Sequence, residues 1–205
     1  MPYLEIRKYT DNSLIFSGNF SCYKHCIEDA VKNKITLDHV NLAHMNLTNA
    51  NLDGADMPYA DFQGTNLTGA NLSEAKLENS NLSNTSLYNT CLAYSQLDKC
   101  NFIGTSFGAT DITGASLTYS KFSTLSCFDL NFEHAKSIHG CVFKTIENKS
   151  FSMTIPPVIL KGLFRTPIII LDDIVKIGSR TFPKSNFKNL AHMLSFFIHR
   201  EHYIH

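Results

Sequence analysis

The chain has 205 residues, and its 18 Lys and Arg balance 18 Asp and Glu, so the formal net charge is zero. That length suits a single soluble domain, whose core is adequate only if both ends are covered. The longest apolar stretch, Pro167 to Leu171 with Ile174 and Val175 beyond two aspartates, is too short to span a bilayer. Met1 to Lys8 is polar and charged, unlike a signal peptide.

Residues 3–8 (YLEIRK) alternate, Asp11-Asn12 marks a turn, and Leu14-Ile15-Phe16 can return as a second strand. Ser21 offers an N-cap to a helix running to about Lys34, with Ile27, Ala30 and Val31 on its apolar side. Residues 1–34 are therefore expected to form a hairpin and a capping helix. Such a unit would cover the open strand edges of whatever follows.

From Leu37 an apolar residue recurs at every fifth position: Leu42, Leu47, Leu52, Met57, Phe62, Leu67 and onward in register to Phe122, Cys127 and Phe132. Five fits neither standard period. On a helix the side chains would drift around the cylinder, and on a strand successive ones would fall on opposite faces. A chain that turns a corner every five residues resolves the conflict, because each segment is then one side of a coil with its centre pointing inward. The residue two before each centre is small or modestly apolar (Ala50, Thr65, Ala70, Ser80, Thr90, Cys100, Thr105, Ala115), and a small one lets neighbouring sides meet. Gly54, Gly64, Gly69, Gly104 and Gly114 recur at the turns. The phase breaks at Ser137, and Cys141-Val142-Phe143 resumes it one residue late.

The triplets Ala50-Asn51-Leu52, Ala60-Asp61-Phe62 and Ala70-Asn71-Leu72 resemble the tandem A[D/N]LXX motif of the pentapeptide-repeat family. The resemblance covers about half of the chain. It implies an all-β solenoid, a right-handed quadrilateral parallel β-helix with four pentapeptides per coil, here about five coils over residues 35–145. At about 4.8 Å between stacked strands the rod would be about 24 Å long.

Residues 146–205 differ in composition. Pro156-Pro157 reads as a linker, and TPIIILDDIVKIGS as two short strands about Asp172-Asp173. A helix from about Ser185 carries Phe187, Leu190, Leu194 and Phe197 on one stripe, widened by Met193, Phe196 and Ile198. It either closes the last coil or forms a homodimer, the role that a C-terminal element plays in well-known members of the family.

No catalytic constellation, phosphate-binding loop or cofactor motif stands out, so no enzyme, metal or cofactor is expected. His192, His199, His202 and His205 gather near the C-terminus without metal-ligand spacing. Cys22, Cys26, Cys91, Cys100, Cys127 and Cys141 lack it too, and reduced thiols in a cytoplasm are expected. Cys91, outward in phase, is the most reactive.

Function then falls to the outer faces. Residues 35–137 hold ten acids and four lysines, net −6, while the flanks hold eight acids and fourteen bases, net +6. Sorting by twenty places Asp38, Asp56, Glu78 and Asp98 on one face, with Tyr59 and Tyr119. Asp53, Glu74, Asp111 and Glu133 fall on the face before it. These acids are the candidate partner-binding residues. A protein partner is expected, with no direct nucleic-acid or membrane binding. Two readings follow: a scaffold binding protein through a flat β-face, or a DNA mimic like the gyrase-inhibiting members of the family. Mimicry is limited by charge, since duplex DNA carries one charge per roughly 1.7 Å, about 14 over such a rod.

Overall fold

The computed structural model describes residues 1–145, 147–162, 166–178 and 180–198. Strands β1 (Tyr3–Arg7) and β2 (Leu14–Asn19) pair antiparallel about a turn in which Asn12 takes a positive φ. Helix α1 (Tyr23–Lys32) buries Cys26, Ile27 and Ala30. It is shorter than the expected span. Its N-cap is Cys22, without a side-chain cap bond, because Ser21 Oγ is engaged by His25 Nδ1 at 2.6 Å. The hairpin continues onto the repeats through an antiparallel bridge between Lys8 and Val40.

From Asn41 to Val142 the chain pairs with itself in parallel, one coil ahead. Bridges join Asn41 to Asp61, Asn51 to Asn71, Lys76 to Gln96 and Gln96 to Ser116, each twenty residues apart. Where these lengthen into strands they are short: β3 (Ser86–Tyr88) on β5 (Ser106–Gly108), and β4 (Asn101–Phe102) on β6 (Lys121–Phe122). All the fivefold centres from Leu37 to Phe132 are buried, and so are the small residues two before them.

Most turns are built the same way. The N–H three residues on bonds back to the centre's carbonyl (Ala50 to Leu47, 3.0 Å). After Met57 the Ala60 N–H bonds Ser80 Oγ at 3.0 Å instead. The residue just before the bonding N–H has positive φ. From His39 to Tyr119 every fifth residue does so, at +51 to +76°. Glycine suits this position, but His39, Tyr59, Glu74, Tyr94, Lys99 and Tyr119 occupy it against steric cost. Most Asn and Asp residues that precede a centre support the same turn by accepting a backbone N–H two residues on, as Asn66 does from Thr68 at 3.0 Å.

The small inward positions have a second function beyond fitting at corners. Where they are Ser or Thr, the hydroxyl donates to a carbonyl of the preceding coil, except at Ser95, which bonds Leu92 O of its own turn. Thr65 bonds Leu42 O at 2.7 Å, Thr85 bonds Phe62 O at 2.8 Å and Thr90 bonds Leu67 O at 2.8 Å, always twenty-three residues back. The Cys100 thiol does the same to Leu77 O at 3.0 Å.

The phase is lost earlier than Ser137. Residues 125–129 and 132–134 form 3₁₀ turns, and beyond them the spacing is twenty-one: Ser116 pairs with Ser137, and β6 with β7 (Val142–Lys144). The tighter turns absorb one extra residue while Cys127 and Phe132 stay buried, so apolar spacing alone conceals the slip.

Strand β8 (Ser150–Ser152) then pairs antiparallel on the outer edge of β7. Next, β9 (Val158–Leu160), β10 (Ile168–Ile170), β11 (Ile174–Ile177) and β12 (Arg180–Pro183) form an antiparallel sheet ordered 12-11-10-9. Two strands were expected here and four are present, because Pro157 and Pro183 border β9 and β12 and disguise them as linker. One sheet face adds Ile169, Leu171 and Ile174 to the repeat core. The other packs Ile168, Val175 and Ile177 against Met193 and Phe197 of helix α2 (Leu190–Ile198). Asp172 ties the β10–β11 turn to β8, accepting from Ser152 Oγ at 2.8 Å and Thr154 N at 2.9 Å. No described helix is long and apolar enough to cross a membrane.

Candidate functional site

The two acidic faces are less uniform than their composition. Asp38 is held by Lys8 Nζ at 3.1 Å and His39 Nδ1 at 2.6 Å. Partial burial disfavours its charge, but these two partners outweigh that and keep its pKa below the usual carboxylate range. Asp56 accepts from Thr36 Oγ1 at 3.2 Å and stands opposite Lys76 in the next coil. Asp98 accepts from Ser116 Oγ at 2.6 Å and Thr118 N at 2.7 Å. Lys76 and Lys99 belong to this same face by the twenty-residue register.

On the neighbouring face, Asp111 fills the turn-supporting position and accepts Thr113 N at 2.9 Å, a bond that lowers its pKa. Glu133 lies on the second 3₁₀ turn, past the slip, so its assignment by twenty is one residue out. Asp53 and Glu74 are exposed and Glu78 half-buried, and none of their carboxylates accepts a hydrogen bond among the described residues. Glu133 is likewise exposed and accepts no hydrogen bond among the described residues, so four of the eight candidate acids stand free and four serve the scaffold.

A second feature runs along the first of these faces. The Tyr9, His39 and Tyr59 rings form a column, with centroids 5.8 Å and 4.8 Å apart and the second pair parallel within 4°. Farther along the same register, Tyr119 meets His139 edge-on at 5.6 Å. Tyr9, Tyr59 and Tyr119 are each about half exposed. Spacing by twenty identifies His39 with Tyr59. Tyr9 comes from the hairpin and carries no sequence signal.

The glycines explain how such rings are accommodated. A Cβ at Gly114 would lie 2.4 Å from the Tyr94 ring, and one at Gly140 would lie 2.3 Å from Tyr119. Each ring covers the glycine in the coil ahead, so the glycine provides space as well as a left-handed turn.

Of the C-terminal candidates, Phe197 is spent within the chain, and Phe187 packs against Phe182, Phe196 and Phe197. Leu194 is half-buried on the same cluster, and Leu190 is half exposed. The exposed large apolar residues of α2 are thus Leu190 and Ile198, with half-buried Leu194 between them, rather than the stripe expected from Phe187. His192 is described and contacts Phe187, whereas His199, His202 and His205 lie outside the described residues. Among the described residues no group of His, Cys, Asp and Glu could hold a metal ion. Cys91 is half-buried and its thiol contacts Ser73 Oγ at 3.1 Å.

The family model for pentapeptide repeats matches residues 36–73 and 65–102. Residues 36–102 are thus pentapeptide repeats. Solved pentapeptide-repeat structures are similar over part of the chain's length. QnrB1, a plasmid-mediated fluoroquinolone resistance protein, is 22% identical over 49% of this chain and 46% of its own, with a TM-score of 0.40. A pentapeptide repeat protein of Nostoc PCC 7120 is 20% identical over 58% of this chain and 93% of its own, at 0.33. One from the Arabidopsis thaliana thylakoid lumen is 26% identical over 40% and 65%, at 0.24. The comparison with curated proteins finds no match.

Proposed function

We propose that this protein is a non-enzymatic pentapeptide-repeat binding module that recognises a protein partner through the outer faces of its repeats. The scaffold of this reading is a right-handed quadrilateral β-helix of five coils. Its N-terminal cap is the hairpin with α1, and the C-terminal sheet closes its other end. The observation that carries it is the aromatic column of Tyr9, His39 and Tyr59, with a second exposed ring, Tyr119, on the same face beyond Asn79 and Lys99. Exposed tyrosines held by backbone turns lose little freedom on binding, and aromatic residues are the anchors of protein interfaces. Neither nucleic acid nor membrane is a partner in this reading. A reducing cytoplasm belongs to it, because the Cys100 and Cys141 thiols donate to Leu77 and Leu117 carbonyls. A homodimer through Leu190, Leu194 and Ile198 of α2 is the proposed assembly.

A second reading, mimicry of DNA in the groove of a topoisomerase such as gyrase, is favoured by one observation. Asp53, Glu74 and Glu78 are free acids on adjoining faces. Pull-down from a cell lysate at low and raised salt separates the readings. A partner kept at raised salt and lost with Tyr59→Ala and Tyr119→Ala supports the aromatic surface. A nucleic-acid enzyme released by salt, and indifferent to those changes, supports mimicry.

A further inference from the structure

Where the antiparallel sheet meets the last coil, a cleft of about 470 Å³ remains open, within the usual size range of small-molecule sites. Leu125, Phe143 and Phe151 give it an apolar lining, and Lys176 of β11 lines it too. Strand alternation puts Lys176 on the face of β11 that also carries Ile174, and Ile174 is part of the repeat core. A lysine is an unexpected residue there. It is only 9% exposed, and among the described residues it makes no hydrogen bond or ion pair. The one acid that raises its pKa is Glu147, which also lines the cleft but is already paired with Lys149 at 2.7 Å. Burial opposes the ammonium more strongly than Glu147 supports it. With Lys149 alongside, the polar rim carries two positive charges and one negative.

We propose that this cleft binds a small amphiphilic carboxylate, with its apolar chain against Leu125, Phe143 and Phe151 and its carboxylate on Lys176. The stem of Lys176 is buried and its ammonium reaches water only through the cleft, so an anion delivered with its own apolar chain supplies a counter-charge there while filling the space. A cationic amphiphile of equal length would meet the same apolar wall but the wrong charge. This site is separate from the outer-face reading and does not depend on it.

The test is calorimetric titration of the full chain with decanoate and, separately, with decylamine. Decanoate should bind saturably and decylamine at least tenfold more weakly. Lys176→Met keeps the side-chain length and removes the charge. It should weaken decanoate at least tenfold while raising the thermal midpoint of the ligand-free protein. Lys149→Met, at the rim, should weaken binding by less. Equal binding of the two amphiphiles, or full decanoate binding by Lys176→Met, overturns the proposal. So does binding of a phenylalanine-terminated peptide when decanoate is inert, since the cleft would then be a peptide site.

Discussion

The hydroxyl of Thr85 donates to the carbonyl of Phe62, 2.8 Å away and one coil back. That carbonyl also accepts the N–H of Thr65 at 3.0 Å, which closes its own turn. One oxygen thus couples a turn within a coil to the wall of the next. Both hydrogen bonds are buried.

Thr85→Val should therefore destabilise by about 1 kcal/mol, the usual net value of a buried hydrogen bond whose acceptor keeps another partner. Thr85→Ser keeps the donor and should cost less than Thr85→Val. Urea denaturation of the two variants checks the order. A larger loss in Thr85→Ser than in Thr85→Val would mean that the methyl packing outweighs the hydrogen bond.

Gly114→Ala should cost more. The left-handed turn there penalises any Cβ by roughly 1–2 kcal/mol, and the Tyr94 ring 2.4 Å away adds a clash. In a Tyr94→Ala background the clash disappears but the backbone penalty remains. A double-mutant cycle should show that coupling, with the glycine substitution milder in the double variant. Strict additivity would remove the ring from the account.

Those residues also show what a sequence conveys and conceals. The fivefold centres were legible because every side repeats one local solution, so Leu47 and Leu72 answer to the same rule. The Asn and Asp before them were legible as a motif but not as turn supports. For that reason Asp111 read as a binding acid when it chiefly serves Thr113. The slip between Phe122 and Ser137 was hidden because 3₁₀ turns keep Cys127 and Phe132 inside. β9 and β12 were hidden because Pro156-Pro157 and Pro183 border them, whereas β10 and β11, of the same lengths, sit in one apolar stretch about Asp172-Asp173. Lys176 within an apolar strand was the one visible sign of the cleft, and its meaning depends on which face the sheet presents to the last coil.

Acid should loosen the C-terminal sheet through Asp172. Burial raises its pKa, but bonds from Thr154 and Ser152 prevail and leave it below the usual range. A carboxylate whose folded pKa is depressed contributes stability above its unfolded value, roughly 3.9, and that contribution disappears as pH falls through the folded value. The urea midpoint of the wild type should drop as pH is lowered below about 4, and Asp172→Asn should flatten the part of the drop due to this residue. An unchanged pH slope in the variant would assign the acid sensitivity elsewhere.

The exposed residues Leu190 and Ile198 of α2 give a test of self-association that leaves the core intact. Leu190→Ser with Ile198→Ser changes residues that are 50% and 61% exposed, so circular dichroism should be unchanged. If α2 joins two chains, light scattering should move from dimer to monomer mass. Deleting α2 is a poorer test, because it uncovers Ile168, Val175 and Ile177.

The acidic faces can be tested only with side chains that the fold does not need. Asp38, Asp56, Asp98 and Asp111 are engaged in hydrogen bonds, so reversing them would confuse folding with binding. Asp53, Glu74 and Glu78 are not. Changing all three to Lys adds two charges each and takes residues 35–137 from −6 to zero. These are surface changes, and stability should move by about 0.5 kcal/mol or less at each. If a basic groove is the partner, association should slow by about tenfold or more and lose its salt dependence, because attraction between exposed charges is screened beyond about 8 Å at physiological salt. The control set, Gln63→Lys, Ser83→Lys and Asn89→Lys, lies on the other two faces and takes the charge only to −3. A lysine at the turn position of Asn89 has a precedent in Lys99, which adopts the same positive φ. Much weaker effects from the control set would locate recognition on the acidic faces. Equal effects would reduce the matter to net charge, and no effect from the first set would leave the aromatic column of Tyr9, His39 and Tyr59 as the recognition surface.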